Sequence, residues 1–273
     1  MGLTINTNVD AIDAARNLNN TEGMLSQSME RLSSGLRINS AAEDVAGYAI
    51  SQSLQSQVNG LNQANNNSLD AVAMAQTAQG ALNDVNTMLQ RIRELGVEQA
   101  NGTTSKEDKT AIEGEVKQLT EEIKRVGSTT EFNGVNLLEG KEEVKFQVGA
   151  NDKETIGVKA VELYKEIEKL IEPAKFGEKI EKGTGLKELT EAIAKVSTIA
   201  GEFGAVQDRI QYTTANLEVY SQNLTSAVSA FDDVNIASEM TNFTKDQVLQ
   251  QAGVSILTQA NQLPDAALKL LEG

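Results

Sequence analysis

The chain has 273 residues with 24 basic and 39 acidic side chains, which gives a formal net charge of −15. It contains no Cys and no His, which excludes disulfides, thiolate metal sites and catalysis by the usual general base. The acidic excess argues against nucleic acid or an anionic membrane as the main partner. Aromatic residues, at 4%, are too few for a large compact core, so we expect aliphatic side chains to pack over a long surface.

Composition divides the sequence into three parts. Residues 1–100 contain no Lys and are rich in Asn and Gln, whereas residues 101–200 contain 15 Lys. Residues 201–273 return to the amide-rich composition of the first part. Because amides hydrogen-bond to copies of the same surface without charge repulsion, the two ends are predicted to share a role that differs from that of the middle.

Apolar residues at steps of three, four and seven predict an amphipathic helix near the start of the chain. This stripe consists of Ile5, Val9, Ile12, Leu18, Leu25, Met29 and Leu32. The turn residues Ser33-Ser34-Gly35 end it, and a second long helix is predicted over 50–92. Ser105, with Asp108 three residues later, predicts the N-cap of a third helix.

The middle of the chain changes to a period of two. Apolar and polar residues alternate within 144–158, which predicts one β-hairpin near 141–161 with its turn at Asn151-Asp152. A short amphipathic helix closed by Pro173 follows, and three glycines after it predict a flexible connection. Together these two pieces form a short helix-loop insert over 161–185.

The last long element carries the clearest pattern in the chain. Apolar or small residues recur from Val196 at alternating steps of three and four. A helix of this length with one narrow seam must pack against other long helices. The predicted seam consists of Val196, Ile199, Phe203, Val206, Ile210, Leu217, Leu224 and Phe231. Val248 and Ile256 are assigned to a further stripe in the C-terminal end.

The conformational entropy of the two ends suggests that they fold only on contact with a partner. Ordering about 40 residues costs on the order of 40–80 kcal/mol of conformational entropy, and a lone amphipathic helix recovers little of it. We therefore expect 1–40 and 235–273 to be poorly ordered in a single chain and to fold against partners. If the partners are copies of this chain, a head-to-tail interface closes into a ring or grows as a helical filament.

Adjacent acidic pairs are the main candidates for chemistry. Any two carboxylates drawn from these pairs are candidates for a glycosidase-type pair or a Mg²⁺ site. The pairs are Glu43-Asp44, Glu121-Glu122, Glu142-Glu143 and Asp232-Asp233. Nothing in their spacing places them in a pocket, so solvated faces and helix caps are the favoured interpretation. With no P-loop and no GxGxxG motif, we predict no enzyme activity, no cofactor and no metal.

Four segments, in order, resemble the signature blocks of bacterial flagellin. They are SMERLSSGLRINSAAEDVAGYAIS (Ser28–Ser51), LQRIRELGVEQANGT (Leu89–Thr103), TTEFNGVNLL (Thr129–Leu138) and QVLQQAGVSILTQANQLPDAALKLL (Gln247–Leu271). The resemblance covers about 1–140 and 190–273. The sequence between them is short, which indicates a short flagellin that lacks the variable outer domains.

The resemblance implies a mainly α fold. We expect a long antiparallel helical bundle or coiled-coil rod with one small β-hairpin, whose termini form paired inner helices. In this arrangement 1–43 is an inner-tube helix that pairs with 235–273, and 44–234 is the surrounding rod domain.

The resemblance also implies a function and a location. A flagellin is a structural subunit that polymerises into the helical filament of the bacterial flagellum, for motility. It is exported unfolded by the flagellar type III apparatus, without a cleaved Sec signal, and its ends fold on assembly. We therefore expect an extracellular location in the filament and no membrane insertion.

The expected partners are, first, other copies of this chain. Others are an export chaperone on the C-terminal helices, the filament cap, hook-junction proteins and a host Toll-like receptor. The candidate receptor patch consists of Arg91, Leu95 and Glu115, and the same face is also a candidate for axial contact between subunits. Two alternatives stay open: a hook–filament junction protein, and a monomeric secreted coiled-coil binding protein.

Overall fold

The computed structural model describes residues 7–140 and 143–272 and is mostly helical. The helices are α1 (Val9–Ser34), α2 (Val45–Gln99), α3 (Lys106–Thr129), α4 (Leu163–Ile171), α5 (Phe176–Glu181), α6 (Gly185–Asp232) and α7 (Ile236–Glu272). The strands are β1 (Glu131–Phe132), β2 (Val135–Asn136), β3 (Glu143–Gln147) and β4 (Thr155–Lys159). This content confirms the predicted mainly α fold. Within the described residues, we find no helix with the length and apolar character that crossing a membrane requires.

The chain divides into two compact units. One unit combines Met1–Ser56 with Asn223–Gly273, and the other is Gln57–Gln222. The division falls at 56/57 inside α2 and at 222/223 inside α6. The boundaries expected from the sequence, 43/44 and 234/235, lie just before α2 begins and just after α6 ends.

In the first unit, α1 packs antiparallel against α7. The helix α1 ends at Gly35, whose φ of 76° is the left-handed conformation that Gly adopts without a Cβ penalty. Beyond it, the backbone forms a short antiparallel bridge between Leu36 and Asp233. The Arg37 N–H donates to the Asp232 carbonyl at 2.6 Å, and the Val234 N–H donates to the Gly35 carbonyl at 2.9 Å. These two hydrogen bonds join the segment that follows α1 to the segment between α6 and α7.

The second unit has a continuous aliphatic core. Heptad-spaced residues of α2, such as Leu82 and Leu89, and of α6, such as Val196, are fully buried in it. Side chains of α3 and of the insert complete the same cluster. Aliphatic residues dominate this core, as expected from a sequence with so few aromatics.

The predicted hairpin is β3–β4, which pairs antiparallel with Val144 opposite Val158. Val158 and Ile156 are buried, while Glu143 and Lys145 are exposed, as the alternation predicts. A second, smaller hairpin, β1–β2, was not expected. Its turn is Asn133-Gly134, whose φ values of 49° and 78° are both left-handed, and Asn-Gly is the pair that such a tight turn favours.

The insert contains more structure than the flexible connection predicted from its glycines. A 3₁₀ turn, Pro173–Lys175, leads into α5, and α6 already begins at Gly185. Phe176 and Ile180 lie four residues apart on α5 and are both buried in the core. The prediction is corrected because this apolar pair anchors the segment. Gly177 lies inside α5, Gly183 lies between the two helices, and Gly185 begins α6.

The capping box predicted for α3 is confirmed. The Asp108 N–H donates to the Ser105 hydroxyl oxygen at 3.1 Å, and the Ser105 N–H donates to the Asp108 carboxylate at 3.1 Å. The Ser105 hydroxyl also donates to the Asp108 carboxylate at 2.7 Å. This hydrogen bond, then that from the Ser105 N–H, lowers the pKa of Asp108 below its ordinary value. The cap therefore favours the ionised carboxylate at the positive end of the helix dipole.

Candidate functional site

Polar residues occupy the interface between α1 and α7. The Ser28 hydroxyl donates to the Glu239 carboxylate at 2.6 Å, and both residues are buried. Thr21 and Asp246 are buried as well. Near the other end of the pair, the Asn8 side-chain amide donates to the carbonyl of Ala260 at 2.8 Å. Half-buried apolar side chains, such as Leu18 and Leu25 on α1 and Leu257 on α7, lie between these polar residues. The interface is therefore a mixture of polar and apolar side chains.

Close backbone approach is the second feature of this interface. Gly253 faces Leu18 so closely that a Cβ at this position would lie 3.3 Å from the nearest Leu18 methyl carbon. The absent side chain lets the two helices approach one another at this level.

Other large apolar side chains lie on the outward faces of the pair, which we call the terminal apolar faces. Each of them is more than two-fifths exposed. They are Val9, Ile12, Met24 and Met29 on α1, and Ile236, Met240, Val248, Leu249, Val254 and Ile256 on α7. Exposed large apolar side chains gathered on one pair of helices are typical of a site of interaction with another molecule.

The predicted self-assembly residues divide between the two surfaces. Those in the terminal apolar faces are Val9, Ile12, Met29, Val248 and Ile256. Leu18, Leu25 and Leu32 are half-buried on α1. Ile5 lies outside the described residues. The stripe read from the sequence therefore combines residues that face α7 with residues that face away from it.

The predicted rod seam is buried over most of its length. Val196, Ile199, Phe203, Ile210 and Leu217 are buried, and Val206 and Leu224 are half-buried. Phe231 differs, because its ring is exposed near the end of α6. Its carbonyl accepts two hydrogen bonds from the Arg37 guanidinium, from Nε at 3.2 Å and from Nη2 at 2.5 Å. Phe231 therefore contributes to the turn after α6 through its backbone.

The three residues of the candidate receptor patch lie close together on α2 and α3. Arg91 Nε donates to Glu115 Oε1 at 2.9 Å, and Arg91 Nη1 donates to Glu94 Oε2 at 3.3 Å. The hydrogen bond to Glu115, then that to Glu94, raises the pKa of Arg91 above its ordinary value. Leu95, in contrast, is 2% exposed and belongs to the core.

This burial corrects the surface contact that the sequence analysis gave to Leu95. The residue follows Ile92 by three positions on α2, which places it on the core-facing side of the helix. The exposed part of the patch is therefore an ion-paired group of Arg91, Glu94 and Glu115, with Leu95 beneath it.

The acidic pairs have local structural partners. The Asp44 carboxylate accepts from the Gly47 N–H at 2.9 Å at the start of α2, and Glu43 pairs with Arg31 at 3.1 Å. Glu122 pairs with Arg125 on α3. Glu142 lies outside the described residues. In the part of the chain that the structure describes, we find no cluster of three or more side chains suited to binding a metal ion.

Sequence reasoning missed the residues that form the inner surface of the pair, above all Ser28 and Glu239. The sequence feature that could have revealed them is their spacing along the helices, not their polarity. Ser28 is seven residues from Thr21, and Glu239 is seven residues from Asp246, so each pair follows a heptad. A pattern of apolar residues does not reveal these positions, because polar residues and Leu share the inner surface of the pair.

Comparison with protein families covers both ends of the chain. Residues 5–143 match the bacterial flagellin N-terminal helical region, and residues 186–271 match the bacterial flagellin C-terminal helical region. A flagellin of Halalkalibacterium halodurans is 42% identical, covering 98% of this chain and 100% of that protein. The flagellar filament 33 kDa core protein of Treponema phagedenis is 39% identical over the same shares.

Solved structures share the fold. A Bacillus cereus flagellin matches with a TM-score of 0.50 and 24% identity, covering 56% of this chain and 88% of that one. A putative flagellar hook-associated protein from Vibrio parahaemolyticus matches with a TM-score of 0.57 and 14% identity, covering 70% and 100%. The chain belongs to the bacterial flagellin family, and it is a structural subunit of the flagellar filament.

Proposed function

We propose that copies of this filament subunit join through the terminal apolar faces of α1 and α7. The observation that carries the proposal is the distribution of side chains, with polar residues among those buried in the pair and ten large apolar residues exposed on it. Fully burying one such side chain contributes about 1.5–3 kcal/mol. An isolated chain leaves most of that energy unused, whereas neighbouring copies recover it.

The same distribution supports folding on assembly. A two-helix pair gains its stability mainly from packed apolar side chains, and Thr21, Ser28, Glu239 and Asp246 supply little of it. The pair therefore needs its neighbours to become stable. Since each copy presents the same α1 and α7 surfaces, a head-to-tail contact between them repeats from copy to copy and builds a helical polymer.

Export and location are inferred from membership of the flagellin family. We infer that the subunit is extracellular in the flagellar filament, after export in an unfolded state. An export chaperone on 235–273 would cover the α7 face, which otherwise exposes Val248, Leu249 and Ile256 to water before assembly. The filament cap and hook-junction proteins are the further expected partners. The proposed role is mechanical and includes no catalytic activity.

The group of Arg91, Glu94 and Glu115 is proposed as a second contact surface. All three side chains are exposed and joined by ion pairs, and a pre-formed charged group of this kind gives orientation to a contact. A neighbouring subunit along the filament and a host Toll-like receptor both fit it. A Glu115→Lys variant distinguishes them if receptor binding and polymerisation are measured on the same sample.

The alternative of a hook–filament junction protein predicts a different behaviour. Such a protein would add to a filament end without elongating it. Filament fragments used as seeds, with purified full-length chain added, separate the two functions. Growth of the seeds in length supports the filament subunit, and a single added layer supports the junction protein.

The experiment that tests the proposed surface compares two Val residues of equal exposure. Val248 on α7 is 60% exposed, and Val219 on α6 is 59% exposed. In sedimentation assays, Val248→Asp is expected to raise the critical concentration for polymerisation at least about tenfold, since it places a charge in an apolar contact. Val219→Asp is the matched control. Equal losses from the two variants would contradict the proposed surface.

A further inference from the structure

The sulfur atoms of this chain are unevenly distributed. With no Cys in the sequence, the thioethers of six Met residues are its only sulfur groups. Met74 is buried and Met88 is half-buried, both in or against the core of the Gln57–Gln222 unit. Met24, Met29 and Met240 are 47%, 55% and 46% exposed, and all three lie on α1 or α7. We call these three the exposed methionines; Met1 lies outside the described residues.

Two of the exposed methionines lie at the same level of the helix pair. Met29 follows Ser28, and Met240 follows Glu239, while Ser28 and Glu239 are joined by the 2.6 Å hydrogen bond. Met240 also lines an open groove of about 550 Å³ together with Val248 and Leu249. A small hydroperoxide therefore has direct access to these sulfur atoms.

We propose that the exposed methionines are an oxidation site that controls the terminal apolar faces. A hydroperoxide transfers its terminal oxygen to the thioether sulfur, so that a sulfur–oxygen bond forms and the oxygen–oxygen bond breaks, while the proton of the transferred oxygen passes to the leaving oxygen. The sulfur loses two electrons, and the hydroperoxide is reduced to water or to an alcohol. The product, methionine sulfoxide, is polar where the thioether was apolar.

Oxidation at these positions weakens contacts between copies. A sulfoxide buried in an apolar interface without a donor keeps an unsatisfied acceptor. We expect the critical concentration for polymerisation to rise at least about tenfold, which corresponds to about 1.4 kcal/mol. This effect rests on the proposed assembly function, whereas the preference of the oxidant for the exposed methionines does not.

The test uses the full chain and hydrogen peroxide at neutral pH. Sulfoxides are mapped by mass spectrometry of peptides, and polymerisation is measured by sedimentation. Two variants are compared: Met24→Leu/Met29→Leu/Met240→Leu, and the matched core control Met74→Leu/Met88→Leu. Each is compared with its own untreated sample, which removes any effect of Leu itself. Met1 is present in both.

The expected result has three parts. The exposed methionines oxidise before Met74 and Met88. The unsubstituted chain and the core control then lose polymerisation, while the triple variant keeps its untreated level. Reductases specific for the two sulfoxide epimers restore polymerisation of the unsubstituted chain, and this restoration decides the matter if the triple variant does not polymerise untreated.

Other outcomes overturn the inference. Equal oxidation rates at the buried and the exposed methionines would contradict the proposed oxidation site, whatever the polymerisation assay shows. Sulfoxides at all three positions without a change in critical concentration would contradict the proposed effect of oxidation on assembly. If the untreated, unsubstituted chain does not polymerise, the proposed assembly function is contradicted, and the oxidation map alone tests the site.

Discussion

Individual polar residues decide how α1 and α7 recognise one another. The Ser28–Glu239 hydrogen bond is buried and short, and it satisfies a carboxylate that would otherwise be costly to bury. A polar contact inside an apolar interface sets the register of two helices more than it sets their affinity. In this protein, it sets the level at which α1 and α7 align.

Replacing Ser28 tests this role directly. Ser28→Ala removes the donor and leaves Glu239 with an unmet acceptor, a change of about 1–3 kcal/mol. We expect the critical concentration for polymerisation to rise about tenfold. Ser26→Ala, at an exposed position of the same helix, is the control and is expected to leave it unchanged. Equal behaviour of the two variants would show that the hydrogen bond has no part in pairing.

The cap of α3 makes a pH-dependent contribution to stability. Hydrogen bonds from Ser105 lower the pKa of Asp108, so the folded state favours the ionised carboxylate. The contribution is present above the unfolded-state pKa and is lost as the pH falls through the lower, folded-state pKa. We expect Asp108→Asn to remove this part of the acid dependence of unfolding, measured by urea titrations at a series of pH values.

Ser105→Ala provides the comparison for the same cap. It removes the hydroxyl acceptor and is expected to reduce the free energy of unfolding by about 1 kcal/mol at neutral pH. If Asp108→Asn and the unsubstituted chain show the same dependence on pH, the cap does not couple to protonation.

Among the elements, two glycines with opposite requirements test the smaller hairpin. Gly134 has a φ of 78° in the turn between β1 and β2, where a Cβ costs about 1–2 kcal/mol. Gly114 lies inside α3 with open space around it, where Ala is favoured over Gly by about 0.5–1 kcal/mol. Gly134→Ala should therefore lower the free energy of unfolding, and Gly114→Ala should raise it.

Urea denaturation measures both changes under one set of conditions. The paired design separates the turn from any general effect of an added methyl group. A stabilising Gly134→Ala variant would show that the turn does not hold its left-handed conformation in solution.

Periodic elements were predictable from the sequence, and locally anchored ones were not. The heptads of α6 and the alternation of β3 and β4 repeat over enough residues to stand out. The β1–β2 hairpin occupies only Glu131–Asn136, which is too short to show a period, and its one local signal within that span is the turn pair Asn133-Gly134. The helix α5 depends on just Phe176 and Ile180, whose burial is a tertiary contact.

The candidate site was harder to predict for a physical reason. A hydrophobic pattern identifies which residues leave water but not which neighbour covers them. Leu18 lies against Gly253 of α7, while Ile12 on the same predicted stripe is 59% exposed. Only the position of α7 divides the stripe into an inner and an outer part.

For the whole molecule, the two units differ in how they are stabilised. The Gln57–Gln222 unit has a continuous aliphatic core of its own. The α1–α7 pair buries polar residues such as Ser28 and Glu239 and leaves ten large apolar residues exposed. We infer that the first unit is stable in a single chain and that the second becomes stable when neighbouring copies cover it.

Amide hydrogen exchange of α1 and α7, measured below and above the concentration at which the chain polymerises, tests this claim most directly. Exchange in α2 and α6 within 57–222 provides the internal reference. The account predicts weak protection of α1 and α7 in the dilute monomer and strong protection in the polymer, with little change in the reference helices. Strong, concentration-independent protection of α1 and α7 in a sample shown to be monomeric would contradict it.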